Sequence, residues 1–435
     1  MRILSILLIF MLLFTTAASA QEGTAMTYTD PKVLPRLEGM PDLFTFLDGS
    51  KVETAEDWQK RKAEIKGLYE YYLYGYLPNK QQEQLSYTLT PLADGSGYDM
   101  EITVQAEGKT ASFTVTVTLP KAEAPQGGYP YFVEYIWAFP GFPAVSQNQV
   151  MAAARGYAAI AYNPIPVAAD NRNYTGAYYT LYPYYSQDPT DKTGVLLAWA
   201  WGVSKVIDAL EMGAGAEMNI NPALSLVGGV SRYGKSVAVA GIYDERIKVV
   251  IPSCSGAGGM APFRTANQGK AYDLTSLGGP ENWVNESQNE PLSNLKSGEG
   301  YWFTWNFRYL SSPEVIPVEQ YMLSALVADP DRHMIVVTGI TSEGWNNTEG
   351  QCFSYIAAQP VWDLLGCPEQ NNMIIHLDGH AILPSDMQYI LDYCDVHLFG
   401  KAPEDVKSDL SLMKGNLFLQ HNRDVLGPEF TPYLP

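Results

Sequence analysis

The sequence predicts a three-layer α/β fold: a mostly parallel central sheet with helices on both faces and antiparallel strands at its N-terminal side. Three observations predict it. Two runs of period-2 alternation occupy residues 98–119, short continuous apolar runs alternate with helical stretches from residue 131 onward, and a glycine-flanked serine stands where one such run meets a small-residue helix.

The first twenty residues stand apart. Met1-Arg2 is followed by an apolar run over 3–14 and by Thr-Thr-Ala-Ala-Ser-Ala ending at Ala20. This reads as a secretory signal cut after Ala20, since ~12 strongly apolar residues fall short of the ~20 that span a bilayer. A secreted protein, extracellular or periplasmic, is expected. The remaining residues, 21–435, carry neither an internal repeat nor a low-complexity linker and are expected to form one domain. The formal charge of −19 repels nucleic acid and anionic membranes, which removes both as partners. The four cysteines form no C-x-x-C, and no H-E-x-x-H occurs, so neither a structural zinc nor a zincin site is expected. Export permits disulfides, but the spacing leaves their pairing open. No metal and no cofactor are expected, and the protein is expected to act as a monomer.

Thr54 is placed to cap a helix in which Trp58, Lys62, Ile65, Tyr69 and Tyr72 recur at helical spacing, ending near Gly75 and Pro78. Tyr98, Met100, Ile102 and Val104 then alternate with polar residues, as do Ala111, Phe113, Val115, Val117 and Leu119, and Glu107-Gly108-Lys109 links the two runs into a half-solvated hairpin. Continuous apolar strands follow at 131–137, 157–162, 224–227, 248–252, 333–340 and 373–377, with helices at 150–156, 194–210 and after Arg232. The stretch 263–309, rich in Gly, Asn, Ser and Trp, reads as an inserted loop region over the carboxyl edge of the sheet.

Ser231 lies in Gly228-Gly229-Val230-Ser231-Arg232-Tyr233-Gly234-Lys235. Strand, sharp glycine turn and helix are how an α/β-hydrolase exposes a nucleophile, although the usual G-x-S-x-G is here G-x-S-R-x-G. A serine needs a histidine to take its proton and an acid to fix that histidine's tautomer, in the chain order Ser, acid, His for this fold. All five histidines follow Ser231. His333, after Asp331-Arg332, reads as a surface position, His376 as a satisfied core residue, and His397 and His421 as part of the C-terminal helix and tail. His380, in the loop after the last strand, is where the base belongs. Glu343, on the loop after the strand before last, is the candidate acid, with Asp378 and Glu349 as rivals.

At this point the residues resemble the glucuronoyl esterases, carbohydrate esterase family 15, in its bacterial branch. The resemblance rests on Gly229-Val230-Ser231-Arg232-Tyr233-Gly234-Lys235, Ala198-Trp199-Ala200-Trp201-Gly202-Val203-Ser204, Asp208-Ala209-Leu210-Glu211, Glu299-Gly300-Tyr301-Trp302-Phe303, Gly379-His380, Phe44-Thr45-Phe46-Leu47-Asp48-Gly49 and Tyr74-Gly75-Tyr76-Leu77-Pro78. It implies a serine esterase cleaving the ester between 4-O-methyl-glucuronate on glucuronoxylan and lignin alcohols. Ser231 would be nucleophile, His380 base and Glu343 acid, with Arg232 in the oxyanion hole. Lys235 would hydrogen-bond the sugar, and Glu299, Trp302 and Trp345 would complete its pocket. Three departures stand out. Cys254 occupies the place where many members carry the acid, which moves that role to Glu343. Val230 and Ala381 replace a cysteine pair of fungal members. The family's glutamine sugar contact has no clear counterpart, Gln288 being the nearest candidate. A carbohydrate deacetylase using the same triad, and a saccharide-binding relative without catalysis, are the alternatives.

Overall fold

The computed structural model describes residues 27–137, 145–184, 192–413 and 415–433. The expected signal segment and its cleavage point lie outside them. The helix expected after Thr54 runs over Ala55–Tyr69 (α1), its N-terminus capped by the Thr54 hydroxyl, which accepts from the Asp57 amide at 3.1 Å. Trp58, Ile65, Leu68 and Tyr69 bury its inner face.

The hairpin forms as read. Strands Gly97–Ala106 (β2) and Lys109–Thr118 (β3) pair antiparallel across Glu107 and Gly108, whose φ values of 51° and 72° suit the two-residue turn that matches strand twist. The preceding strand Gln84–Pro91 (β1) escaped the sequence reading, because as an edge strand it alternates only between exposed and half-buried positions. Strands Tyr129–Tyr135 (β4), Ala158–Tyr162 (β5), Ile220–Val230 (β6), Val249–Ser253 (β7), His333–Thr338 (β10) and Asn371–Ile375 (β11) complete a nine-stranded sheet in the order β1-β2-β3-β5-β4-β6-β7-β10-β11. The six strands from β5 to β11 in that order run parallel, and β3 joins them antiparallel through β5. Two short strands, Ala271–Tyr272 (β8) and Trp283–Val284 (β9), pair separately inside 263–309, so that stretch has structure of its own.

Helices cover both faces. Gln147–Arg155 (α2) and Pro384–His397 (α10) pack together on one side over Phe132, Leu226, Ile251 and Ile335. Ala177–Leu181 (α3), Val195–Ala209 (α4), Gly215–Met218 (α5), Arg232–Tyr243 (α6), Leu292–Ser297 (α7), Tyr321–Val327 (α8), Thr348–Leu364 (α9) and Asn416–His421 (α11) supply the rest. Of these, α4, α6, α8 and α9 form a packed row on the other face. The long α4 is buried almost all round, and its Trp199 donates Nε1–H to Ala168 O at 2.7 Å. Among the described residues no helix is long and apolar enough to cross a membrane. All four cysteines are buried free thiols.

One expectation fails here. His333, expected at the surface, is buried, because β10 is an interior strand between β7 and β11, and its Nδ1 lies 2.9 Å from the Tyr393 hydroxyl. His376 sits just past β11, with Nδ1 2.8 Å from Asp386 and Nε2 2.9 Å from Gly379 O.

Candidate active site

Ser231 closes β6 and opens α6 with φ 63° and ψ −128°, a conformation that a non-glycine residue holds only when its surroundings enforce it. Two bonds do so: the Ser231 amide donates to Ser253 O at 2.9 Å, and Ser231 O accepts from the Lys235 amide at 3.0 Å. The displaced second glycine of the elbow has a spatial reason. A Cβ on Gly234 would lie 2.5 Å from Ser253 O, so only glycine lets the first turn of α6 press against the end of β7. Among the described residues the Ser231 hydroxyl makes no hydrogen bond.

His380 arrives from the loop after β11. That loop is pinned to the loop after β10: Thr341 N donates to Leu377 O at 2.9 Å and Gly379 N to Ser342 Oγ at 2.9 Å. The pinning sets His380 Nδ1 2.8 Å from Glu343 Oε1. The imidazole is 42% exposed while the Glu343 side chain is 1% exposed, so the ring faces the opening and its carboxylate stands behind it. Asn346 Nδ2 donates to the other carboxylate oxygen at 2.5 Å. The loop also meets the serine side, since Ser253 Oγ lies 3.4 Å from Ala381 O and Ser253 pairs with Val230 in the sheet.

The rival acids are engaged elsewhere. Asp378 accepts from Thr341 Oγ1 at 3.0 Å, and that bond holds its exposed carboxyl below the usual range. Glu349 is buried and bonded to Lys270 and Tyr272. Cys254 follows β7 and is fully buried; burial, reinforced by the charge of Glu343, pushes its thiol up to about 12. A neutral thiol cannot balance an imidazolium as a carboxylate does.

Arg232 turns to the other side of the serine. Its Nη1 donates to Asp170 Oδ2 at 2.6 Å, and the guanidinium lies over the Trp302 and Trp137 rings at 5.0 and 5.8 Å from their centroids. The second oxygen of Asp170 accepts from Trp302 Nε1 at 2.7 Å and from the Tyr301 hydroxyl at 3.0 Å. One carboxylate thus fixes three side chains beside Ser231.

Lys235 departs from expectation. It is 3% exposed, and its three ammonium protons go to Ser255 O at 2.7 Å, Ala257 O at 2.6 Å and Glu290 Oε2 at 2.7 Å. A buried ammonium must satisfy all three donors, and here the protein does so, leaving none for a ligand. Glu299 is the reverse case: its Oε2 is buried without a partner. Burial, then repulsion from Glu290, raises its carboxyl above the ordinary range against the pull of Arg232 and Lys235. Trp302 is buried beneath Arg232, whereas Trp345 is 42% exposed at the rim.

The family model described as "Glucuronyl esterase, fungi" matches residues 102–366. The chain belongs to the glucuronoyl esterases. It is similar to a multidomain esterase of Ruminococcus flavefaciens, 38% identical over 414 residues, or 93% of this chain, and it spans about half (52%) of that protein's length. It is also similar to a 4-O-methyl-glucuronoyl methylesterase of Schizophyllum commune, 30% identical over 397 residues, covering 87% of this chain and 86% of that one. A solved carbohydrate esterase family 15 glucuronoyl esterase from Caldicellulosiruptor kristjansonii shares the fold with a TM-score of 0.75 and 37% identity, over 87% of this chain and 95% of that chain. The α/β-hydrolase fold and the esterase class expected from the sequence stand.

Four residues of this candidate site were not found from the sequence: Asp170, Glu290, Asn346 and Tyr301 as partner to Asp170. Asn346 stood next to Trp345 and three residues from Glu343, so the acid's own loop was the available signal. Asp170 and Glu290 meet their cations across 62 and 55 residues, and no periodicity reports such a pairing.

Proposed function

We propose that the protein is an exported, single-domain, monomeric serine esterase that hydrolyses the ester between 4-O-methyl-glucuronate on glucuronoxylan and lignin alcohols. The carrying observation is the 2.8 Å contact between His380 Nδ1 and Glu343 Oε1, on a loop laid against the strained Ser231 turn. The name of the Schizophyllum relative supports the uronate half of the substrate.

In the acyl transfer, Glu343 accepts the Nδ1 proton of His380 in a hydrogen bond, so Nε2 carries a free lone pair. Substrate binding brings Ser231 Oγ within reach of that lone pair, a contact that tightens in the loaded site. Nε2 takes the hydroxyl proton as Oγ attacks the uronate carbonyl carbon. Arg232 and nearby backbone N–H groups meet the charge that develops on the carbonyl oxygen. The alcohol leaves with the proton from Nε2, and water, deprotonated by the same nitrogen, releases the glucuronate and restores Ser231. Glu299, with its unpartnered oxygen, and Trp345 at the rim contact the sugar. Lys235 acts at one remove by anchoring Glu290.

Hydrolysis of benzyl glucuronate by the wild type and by Ser231→Ala tests the reading, with acetylated xylose as the competing substrate. Turnover of the uronate ester that disappears in Ser231→Ala is expected. Equal turnover in both proteins, or preference for the acetylated sugar, overturns it.

A further inference from the structure

Behind the His380 ring three different donor atoms meet. Cys254 Sγ, a Glu343 carboxylate oxygen and a ring nitrogen of His380 all lie within 4.8 Å of one another. Nδ1 is the nitrogen that faces Glu343, at 2.8 Å. The sulfur is within 3.6 Å of Ser253 Oγ and 4.0 Å of Ala381 O, which fixes it between the end of β7 and the His380 loop. Cys254 itself has φ 45°, so the backbone holds the thiol in this corner at a cost in strain. A tetrahedral ion bound at ~2.0–2.3 Å to sulfur, nitrogen and oxygen draws its ligands to ~3.5 Å from one another, a contraction of ~1.3 Å at most from the 4.8 Å limit. The mix of thiolate, imidazole and carboxylate suits a borderline-soft d¹⁰ cation and not a hard one, which prefers oxygen alone. The exposed edge of His380 offers the way in.

We propose that Cys254, Glu343 and His380 form an inhibitory binding site for a divalent d¹⁰ cation, Zn²⁺ or Cd²⁺. Coordination by Cys254 sends the thiol proton to solvent. Coordination by Nδ1 requires that nitrogen's lone pair, so the imidazole keeps its single proton on Nε2. In that tautomer Nε2 is a donor and cannot accept the Ser231 proton, and Glu343 is no longer available to orient the ring. The ion therefore switches the esterase off without touching the nucleophile. This consequence rests on His380 being the base of the proposed reaction; the site itself does not.

Two readouts on the full chain keep the two apart. Cd²⁺ titration without substrate, followed by the ultraviolet thiolate-to-cadmium charge-transfer band, reads the site. Benzyl glucuronate hydrolysis at the same Cd²⁺ and Zn²⁺ concentrations, with Mg²⁺ as control, reads the inhibition. The expected result is a band in the wild type that is absent in Cys254→Ala and Cys254→Ser, although both retain Cys352, Cys367 and Cys394. The half-inhibiting concentration should rise about tenfold or more in both variants, each compared with its own metal-free rate. Mg²⁺ should leave the rate alone. Circular dichroism melts establish that the variants are folded. A band or an inhibition curve unchanged in the folded variants overturns the site. A band that vanishes with Cys254 while saturating Cd²⁺ leaves the wild-type rate intact overturns the tautomer block, whereas the proposed reaction itself is judged by the metal-free rates of wild type and Ser231→Ala.

Discussion

Asp170 Oδ2 lies 2.6 Å from Arg232 Nη1, and the other oxygen of the same carboxylate holds the indole on which that guanidinium rests. The cation beside Ser231 is therefore aimed by an acid that, among the described residues, hydrogen-bonds none of Ser231, His380 and Glu343.

Asp170→Asn should misplace the cation while keeping one acceptor for Trp302 and Tyr301. The amide turns an N–H toward Arg232 where a lone pair stood. We expect kcat on benzyl glucuronate to fall ~10- to 100-fold with a smaller change in KM. Arg232→Ala sets the larger limit, ~10²–10³ in kcat. A KM effect alone for Asp170→Asn would place Asp170 in ground-state binding.

Glu343→Ala leaves His380 without a carboxylate, because Asp378 is held by Thr341 and Cys254 is a neutral thiol. A loss of about 10⁴ in kcat is expected, comparable with removal of a triad acid in other serine hydrolases. A second change, Cys254→Asp, puts a carboxylate in the same corner and should restore part of the rate in the Glu343→Ala background. Steady-state kinetics of the two variants decide it; a wild-type rate for the single variant would reassign the acid.

Gly234→Ala drives a methyl into Ser253 O, which is backbone and cannot swing aside. The elbow must shift, taking Ser231 with it. We expect a loss of ~1–3 kcal/mol in unfolding free energy, read from the urea midpoint, together with a fall in kcat.

His333 links stability to pH. Burial, then the charges of His397 and Lys248, lowers its pKa from 6.5 to about 3. Between those values the unfolded chain binds a proton that the native state refuses, so stability rises with pH across the window. It is complete above pH 6.5 and is lost as pH falls toward 3. At pH 5 the group should cost about 2 kcal/mol relative to neutral pH. Urea unfolding of the wild type and of His333→Gln at both pH values checks this, the variant being expected to show a flatter profile.

Where an element buries one face and meets solvent on the other, its residues declared it: α1 through Trp58, Ile65 and Tyr69, the hairpin through Met100, Ile102 and Val104. The elbow was legible because the end of an apolar run, the flanking glycines and the start of a small-residue helix fall within the eight residues 228–235. The link between Glu343 and His380 was legible through chain order, although 37 residues separate them. Edge strand β1 was not, since half-buried Leu85, Tyr87 and Leu89 alternate with polar residues too weakly to stand out from a loop. The burial of His333 depended on β11 lying outside β10, which is topology and not composition. Lys235 was assigned to the sugar because the family resemblance implies it, and only coordinates reveal that Glu290 and two carbonyls claim it.

None of the four cysteine sulfurs is bridged to another. Cohesion in this enzyme then comes from packing and hydrogen bonding, with no covalent brace restricting the denatured ensemble. Adding dithiothreitol should leave the melting temperature where it was, and material produced under reducing conditions should match material produced under oxidising ones.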